Sequence, residues 1–141
     1  MNKIPLEINN FAEGTRIIFR AFIKCEMPKI FGLINFIVDT GSPITLISIK
    51  DRERLRISKI QMNTIPCKKN PITIGGGQVK SKIIENVKIK IGDFDTEMPV
   101  HIVNDGEGSN SHPSILGIDF LLHNKMKLTF NPGEREAYLE Y

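Results

Sequence analysis

Apolar residues along this chain come in short blocks, and in the clearest of them, Val87-Lys88-Ile89-Lys90-Ile91, they alternate strictly with lysines. A strand points successive side chains to opposite faces, so this block buries Val and Ile and leaves its lysines in water. Similar runs rich in Ile, Val, Thr and Phe, separated by Gly, Pro and Asn, predict strands over 15–24, 31–38, 44–49, 71–74, 79–91, 97–103, 125–130 and 137–141. The spacing predicts one helix, from Ile118 to His123, where Ile118, Leu121 and Leu122 recur at intervals of three and four. Two segments break the pattern: Gly75-Gly76-Gly77, and the polar loop from Asn104 to His112. Three glycines leave the tip of a hairpin from Ile72 to Lys82 without stiffening side chains, which predicts a mobile tip; a plain hairpin turn accounts for the same glycines. The fold class is all-β with one short helix near the end.

Composition refines this picture. A chain of 141 residues, 40% apolar and 25% charged, is sized for one globular domain over 1–141. The opening Met1-Asn2-Lys3-Ile4-Pro5-Leu6-Glu7 lacks the apolar core of a secretory signal, and the longest apolar run, Leu33 to Val38, is broken by Asn35 and too short for a bilayer. The expectation is a cytoplasmic protein with no membrane partner. Cys25 and Cys67 have no Cys-x-x-Cys and no histidine pair beside them, so they read as free thiols rather than metal ligands or a disulfide framework. The net charge of +3 is spread among alternating signs, as in Asp51-Arg52-Glu53-Arg54-Leu55-Arg56, which reads as a solvated face. Nucleic-acid binding would want a continuous basic stripe, and only Lys68-Lys69 begins one.

Chemistry concentrates in Phe36-Ile37-Val38-Asp39-Thr40-Gly41-Ser42-Pro43-Ile44, an acid in a tight turn between two apolar strands. A carboxylate at the mouth of buried strands is costly unless its charge is satisfied. Gly41 lets the backbone fold back so that amide groups and a hydroxyl can face Asp39. A second segment, Ile115-Leu116-Gly117-Ile118-Asp119-Phe120-Leu121-Leu122, leads two aliphatics and a glycine into the helix.

Apolar-apolar-Asp-Thr-Gly-Ser near the start, a glycine-rich hairpin in the middle and Ile-Leu-Gly before a helix, in that order, resemble the landmarks of the retropepsin-like aspartic proteases. That group includes the retroviral proteases and the protease-like domain of the DNA-damage-inducible ubiquitin-receptor proteins. The resemblance runs from about Thr15 to the end and implies a closed-barrel, acid-protease half that works as a homodimer on peptide or protein substrates, without a cofactor or metal. It implies Asp39 as the catalytic carboxylate, Thr40 as the hydroxyl that grips the partner subunit, Gly41 as the turn glycine, and Ser42 following it where many retroviral members carry alanine. Gly75, Gly76 and Gly77 fall at the flap, which here lacks a bulky apolar tip. Ile115, Leu116 and Gly117 belong to the loop supporting the catalytic turn.

Stoichiometry agrees, because acid-protease hydrolysis needs two carboxylates sharing a proton and this chain has one Asp-Thr-Gly. Asp93, Asp95 and Asp119 lack the apolar-turn setting, so the second carboxylate is expected from Asp39 of a second chain. A Ser42 hydroxyl donating to the ionised pair would lower both titration steps and move the optimum to mildly acidic pH.

Other readings fit less of the chain. A nucleotide-binding Asp-x-Gly turn would need a second large domain and a second phosphate loop. The histidines His101, His112 and His123 carry no ligand pattern, and Ser42, Cys25 and Cys67 have no activating partner in sequence. The alternative that remains is a non-catalytic dimerisation or peptide-binding module on the same fold.

Overall fold

The structure is a computed structural model and describes residues 2–12, 14–66, 72–74, 77–104 and 112–141, with 72–74 and 77 as backbone only. The chain opens with two short strands, β1 (Lys3–Pro5) and β2 (Glu7–Phe11), followed by the long hairpin of β3 (Gly14–Glu26) and β4 (Lys29–Val38). Then come β5 (Leu46–Ile47), two helices, α1 (Ile49–Arg54) and α2 (Lys59–Asn63), and the small hairpin of β6 (Ile72–Ile74) and β7 (Gly77–Val79). A second long hairpin, β8 (Ser81–Ile91) with β9 (Phe94–Val103), precedes β10 (Ile115–Leu116), α3 (Ile118–Asn124), β11 (Lys127–Asn131) and β12 (Glu136–Glu140).

The main sheet runs β2-β3-β4-β10-β5-β9-β8, and β3 pairs again with β8 from Phe22↔Lys90 to Lys24↔Lys88. That last pairing closes β3, β4, β10, β5, β9 and β8 into a barrel, leaving β2 outside as a flap of sheet on β3. Closure satisfies strand edges that would otherwise be left open. Strands β1, β12 and β11 make a separate three-stranded sheet. Inside the barrel, Phe19, Ile34, Phe36, Ile89 and Ile102 are fully buried. Phe120 of α3 reaches into the same core edge-on to Phe19 at 5.2 Å, a favourable aromatic geometry. Six residues form a smaller core, Ile44, Leu46, Ile49, Val79, Val103 and Ile115, which joins the Asp39 end of the barrel to the root of the β6–β7 hairpin.

The strict alternation of Val87–Ile91 survives intact, valine and isoleucine inward and lysines outward. Some expectations need amending. The strand expected over 44–49 shrinks to Leu46–Ile47, because Ser48 caps α1 by accepting the Asp51 N–H. The charges of 51–54 lie on this helix, and Glu53, Arg54 and Arg56 are exposed as a solvated face requires, with Arg54 paired to Asp51 and donating to the Leu33 carbonyl. The second unexpected helix, α2, starts with a capping box in which Ser58 and Gln61 satisfy each other's backbone N–H, a signal present in Ser58-Lys59-Ile60-Gln61. The run expected over 79–91 divides at Lys80, Val79 ending the small hairpin and Ser81 starting β8. Cys67, Lys68 and Lys69, and most of the loop expected from Asn104 to His112, lie outside the described residues; Cys25 is a buried free thiol.

Candidate active site

Strand β4 delivers its last residues against β10, which runs parallel to it: Ile37 pairs with Ile115 and Val38 with Leu116. The N–H of Asp39 then donates to the Leu116 carbonyl at 3.0 Å, so the acid leaves the barrel from a fixed point. There the chain reverses in a turn closed by the Ser42 N–H on the Asp39 carbonyl at 3.0 Å. The Gly41 N–H donates to Asp39 Oδ1 at 2.9 Å, and a Cβ on Gly41 would stand only 3.1 Å from that oxygen. Glycine here keeps the backbone amide close to the carboxylate. Asp39 is half-buried, whereas Thr40 and Gly41 are exposed, so the carboxylate stands at the open end of the barrel. Among the described residues, Gly41 is the one hydrogen-bond partner of its side chain.

Ser42 is buried beneath the turn. The expected bond from its hydroxyl to Asp39 is not made: Oγ donates to the Ile44 carbonyl at 2.8 Å and accepts the Ile44 N–H at 3.4 Å. A local backbone acceptor two residues on is the nearer partner, as is common for serine in a turn. The carbonyl of Ser42 accepts the Ile118 N–H at 2.9 Å, which sets the first residue of α3 against the turn.

Asp119, whose setting speaks against a catalytic role, and Thr45, which carries no signal in the sequence, cross-brace this region. Asp119 Oδ2 accepts the Thr45 N–H at 3.0 Å, while Oδ1 accepts the Thr45 hydroxyl and the Phe120 N–H, each at 2.8 Å. Thr45 Oγ1 in turn accepts the Gly117 N–H at 3.2 Å. Gly117 has no alternative, because a Cβ there would lie 2.2 Å from the Ile44 carbonyl oxygen and 2.4 Å from its carbon. Ile115 and Leu116, buried behind the turn, complete the support. A second brace ties α1 to the same strand: the Ser48 N–H donates to Ser114 Oγ at 2.9 Å, and that hydroxyl donates to Asp51.

The remaining candidates are less closely gathered. Gly77 opens β7 and pairs with Ile74, but Gly75 and Gly76 lie outside the described residues. His101 is buried on β9 with Nδ1 3.1 Å from the Ser81 hydroxyl, while His123 is exposed on α3. Among the described residues no group of three His, Cys, Asp or Glu could hold a metal, and no helix is long and apolar enough to cross a membrane.

A lone carboxylate on a glycine turn, set at the end of a closed barrel and braced by a helix, is the architecture of one half of an acid protease. The chain belongs to the aspartyl protease family, whose pattern it matches over residues 33–120, and its fold is retropepsin-like. Among solved structures it is similar to a retropepsin-like aspartic protease from Rickettsia conorii, with TM-score 0.62 and 19% identity over 99% of this chain and 91% of that one. It is also similar to EIAV protease in an inhibitor complex, with TM-score 0.52 and 20% identity over 86% of this chain and 99% of that one. The retroviral protease-like domain of Ddi1 from Leishmania major shares the fold too, with TM-score 0.52 and 12% identity over 88% and 94% of the two chains. Among curated proteins none matches the sequence.

Proposed function

We propose that the protein is an aspartic endopeptidase whose active centre is a dyad formed by Asp39 of two identical chains, residues 1–141 supplying one half. The observation that carries this reading is the contrast at the open end of the barrel. Asp39 engages one backbone N–H through Oδ1, whereas the nearby Asp119 is occupied on both oxygens by Thr45 and Phe120. Asp119 is thus committed to the scaffold, and the second catalytic carboxylate comes from a second chain.

In the working dyad one carboxylate is ionised and the other protonated, since like charges in contact do not both ionise. The ionised member takes a proton from water, whose oxygen attacks the peptide carbonyl carbon while the protonated member gives its proton to the carbonyl oxygen. Proton return to the amide nitrogen then breaks the C–N bond. The Gly41 amide holds Asp39 in position, the exposed Thr40 hydroxyl grips the partner subunit, and Ser42 closes the turn from below. Gly75, Gly76 and Gly77 serve as the flap over bound peptide, and Ile115, Leu116 and Gly117 as the supporting loop. No cofactor or metal takes part.

Incubation of the purified protein with a mixed peptide library, with and without a statine-type inhibitor, tests this reading. Inhibitor-sensitive cleavage that disappears in Asp39→Asn is expected. Peptide binding without cleavage would instead establish a non-catalytic module.

A further inference from the structure

Resting on the dyad reading, we infer that a pocket beside Asp39 selects peptides carrying an acidic side chain, Glu or Asp, within two residues of the bond that is cut. The outer face of the β3–β4 hairpin leads to it. Ile18 pairs with Ile37, and Asp39 follows Ile37 by two residues as Arg16 precedes Ile18 by two. The strands are antiparallel and their side chains alternate, so Arg16 and Ile37 point out of the barrel at the end where Asp39 emerges, while the neighbouring Phe19 and Phe36 point into the core. A cavity of about 480 Å³ opens there, and its walls include Phe11, Arg16, Ile37, Lys50, His112 and Pro113. It is tied to the frame of the site, the Ile37 N–H donating to the Ser114 carbonyl at 2.9 Å.

Charge decides what the pocket takes. Arg16 and Lys50 are exposed, and among the described residues no acid pairs with either of them. Asp51, an acid in the same wall, is already occupied: Oδ1 accepts from Arg54 Nε and Nη2 at 3.2 and 3.1 Å, and Oδ2 accepts the Ser48 and Ser114 hydroxyls. The pocket thus sets two cations beside the apolar surface of Phe11, Ile37 and Pro113. A carboxylate on a short apolar stem matches both parts, with its methylenes on the apolar wall and its charge at Arg16 and Lys50. A basic side chain would be repelled there. An extended peptide advances about 3.3 Å per residue, the same rise as the strand that separates Ile37 from Asp39 by two residues. The side chain that enters therefore belongs to a residue within two of the scissile bond.

The test is to incubate the full-length wild type with a mixed decapeptide library and sequence the products by mass spectrometry. Asp and Glu are expected to be enriched about threefold to tenfold at one position within two residues of the cut, the scale of two exposed charge pairs. Because such pairs are screened, the enrichment should shrink when salt is raised from about 0.05 to about 0.5 M. Arg16→Gln and Lys50→Gln should each lower it. Arg16→Glu/Lys50→Glu should turn the preference to Lys and Arg, a reversal that a merely structural role of the two side chains does not produce. Cleavage through Asp39 with no acidic enrichment, or with an enrichment that the charge reversal leaves in place, overturns the pocket while the dyad stands. A charge-reversed protein that sediments as a monomer where the wild type is a dimer assigns the two cations to the subunit contact and overturns the pocket too. If the wild type cleaves nothing, the same library is passed over the immobilised wild-type protein. Retained peptides rich in Asp and Glu, and no longer so on the charge-reversed variant, keep the pocket and remove the dyad; retention without that preference, or no retention, overturns both.

Discussion

Asp39 and Asp119 are the same residue type at the same end of the barrel, yet their surroundings differ sharply. Asp119 accepts three hydrogen bonds from Thr45 and Phe120, and these hold the start of α3 to the loop after the Asp39 turn. Asp39 accepts one, from Gly41, and keeps the rest of its carboxylate at the barrel mouth. A fully engaged carboxylate is a scaffold part, because moving a proton onto it would break several bonds at once. A lightly engaged one can exchange protons with water and substrate. The comparison teaches that in this site the number of donors around an acid, more than its burial, distinguishes the braced carboxylate from the open one.

Identical substitutions at the two positions should therefore give opposite results. Asp39→Asn retains the oxygen that accepts from Gly41 but cannot take a proton from water, so cleavage should fall by about 10²–10⁴-fold or more. Its unfolding free energy in urea should stay within about 0.5 kcal/mol of wild type. Substantial residual cleavage in steady-state assays would move the chemistry elsewhere. Gly117→Ala probes the shared support rather than either acid, forcing a methyl onto the Ile44 carbonyl. Overpacking against rigid backbone should cost about 3 kcal/mol in chemical denaturation, and an unchanged midpoint would mean that the Ile44 loop yields freely. Asp119→Asn places an amide N–H against the Thr45 or Phe120 donors and should cost about 1–3 kcal/mol, measured the same way. If it instead left stability intact and abolished cleavage, the contrast between the two acids would collapse. Ser42→Ala is the mildest, losing about 1 kcal/mol with its bond to Ile44. The pH profile of kcat/KM should keep its position, and a shift toward neutrality would show that the hydroxyl reaches the dyad after all.

Much of this was legible in the sequence, for reasons visible in particular residues. Val87 to Ile91 announces its strand because a half-buried strand imposes a period of two, and Asp39-Thr40-Gly41 announces its turn because a glycine leaves the space beside the acid uncrowded. Ile118 to His123 reads as a helix from its spacing and is one. Strand β10 was not legible as a strand: Ile115 and Leu116 take extended form through partners at positions 37, 38 and 46, contacts no local pattern encodes. Helix α2 was legible in principle, through Ser58 and Gln61, but its five residues are too few for a periodic signal. The bracing role of Asp119 was hidden because its partner, Thr45, is distant in the chain. The Ser42 bond went to Ile44 because the choice between two nearby acceptors depends on angles that only the folded turn sets.

The parallel pairing of Ile37–Val38 with Ile115–Leu116 also governs when the site can exist. These partners are roughly eighty residues apart in sequence, so the pairing closes a loop comprising more than half the chain. Local hairpins such as β3–β4 and β8–β9 can form early, within microseconds once their residues are free, whereas a contact of such long range is entropically slow. During synthesis the Asp39 turn lacks the Leu116 carbonyl, the Gly117 contact and the Asp119 brace until the final quarter of the chain has emerged. The frame around Asp39 is therefore assembled last, and an unfinished chain carries this acid without its braces.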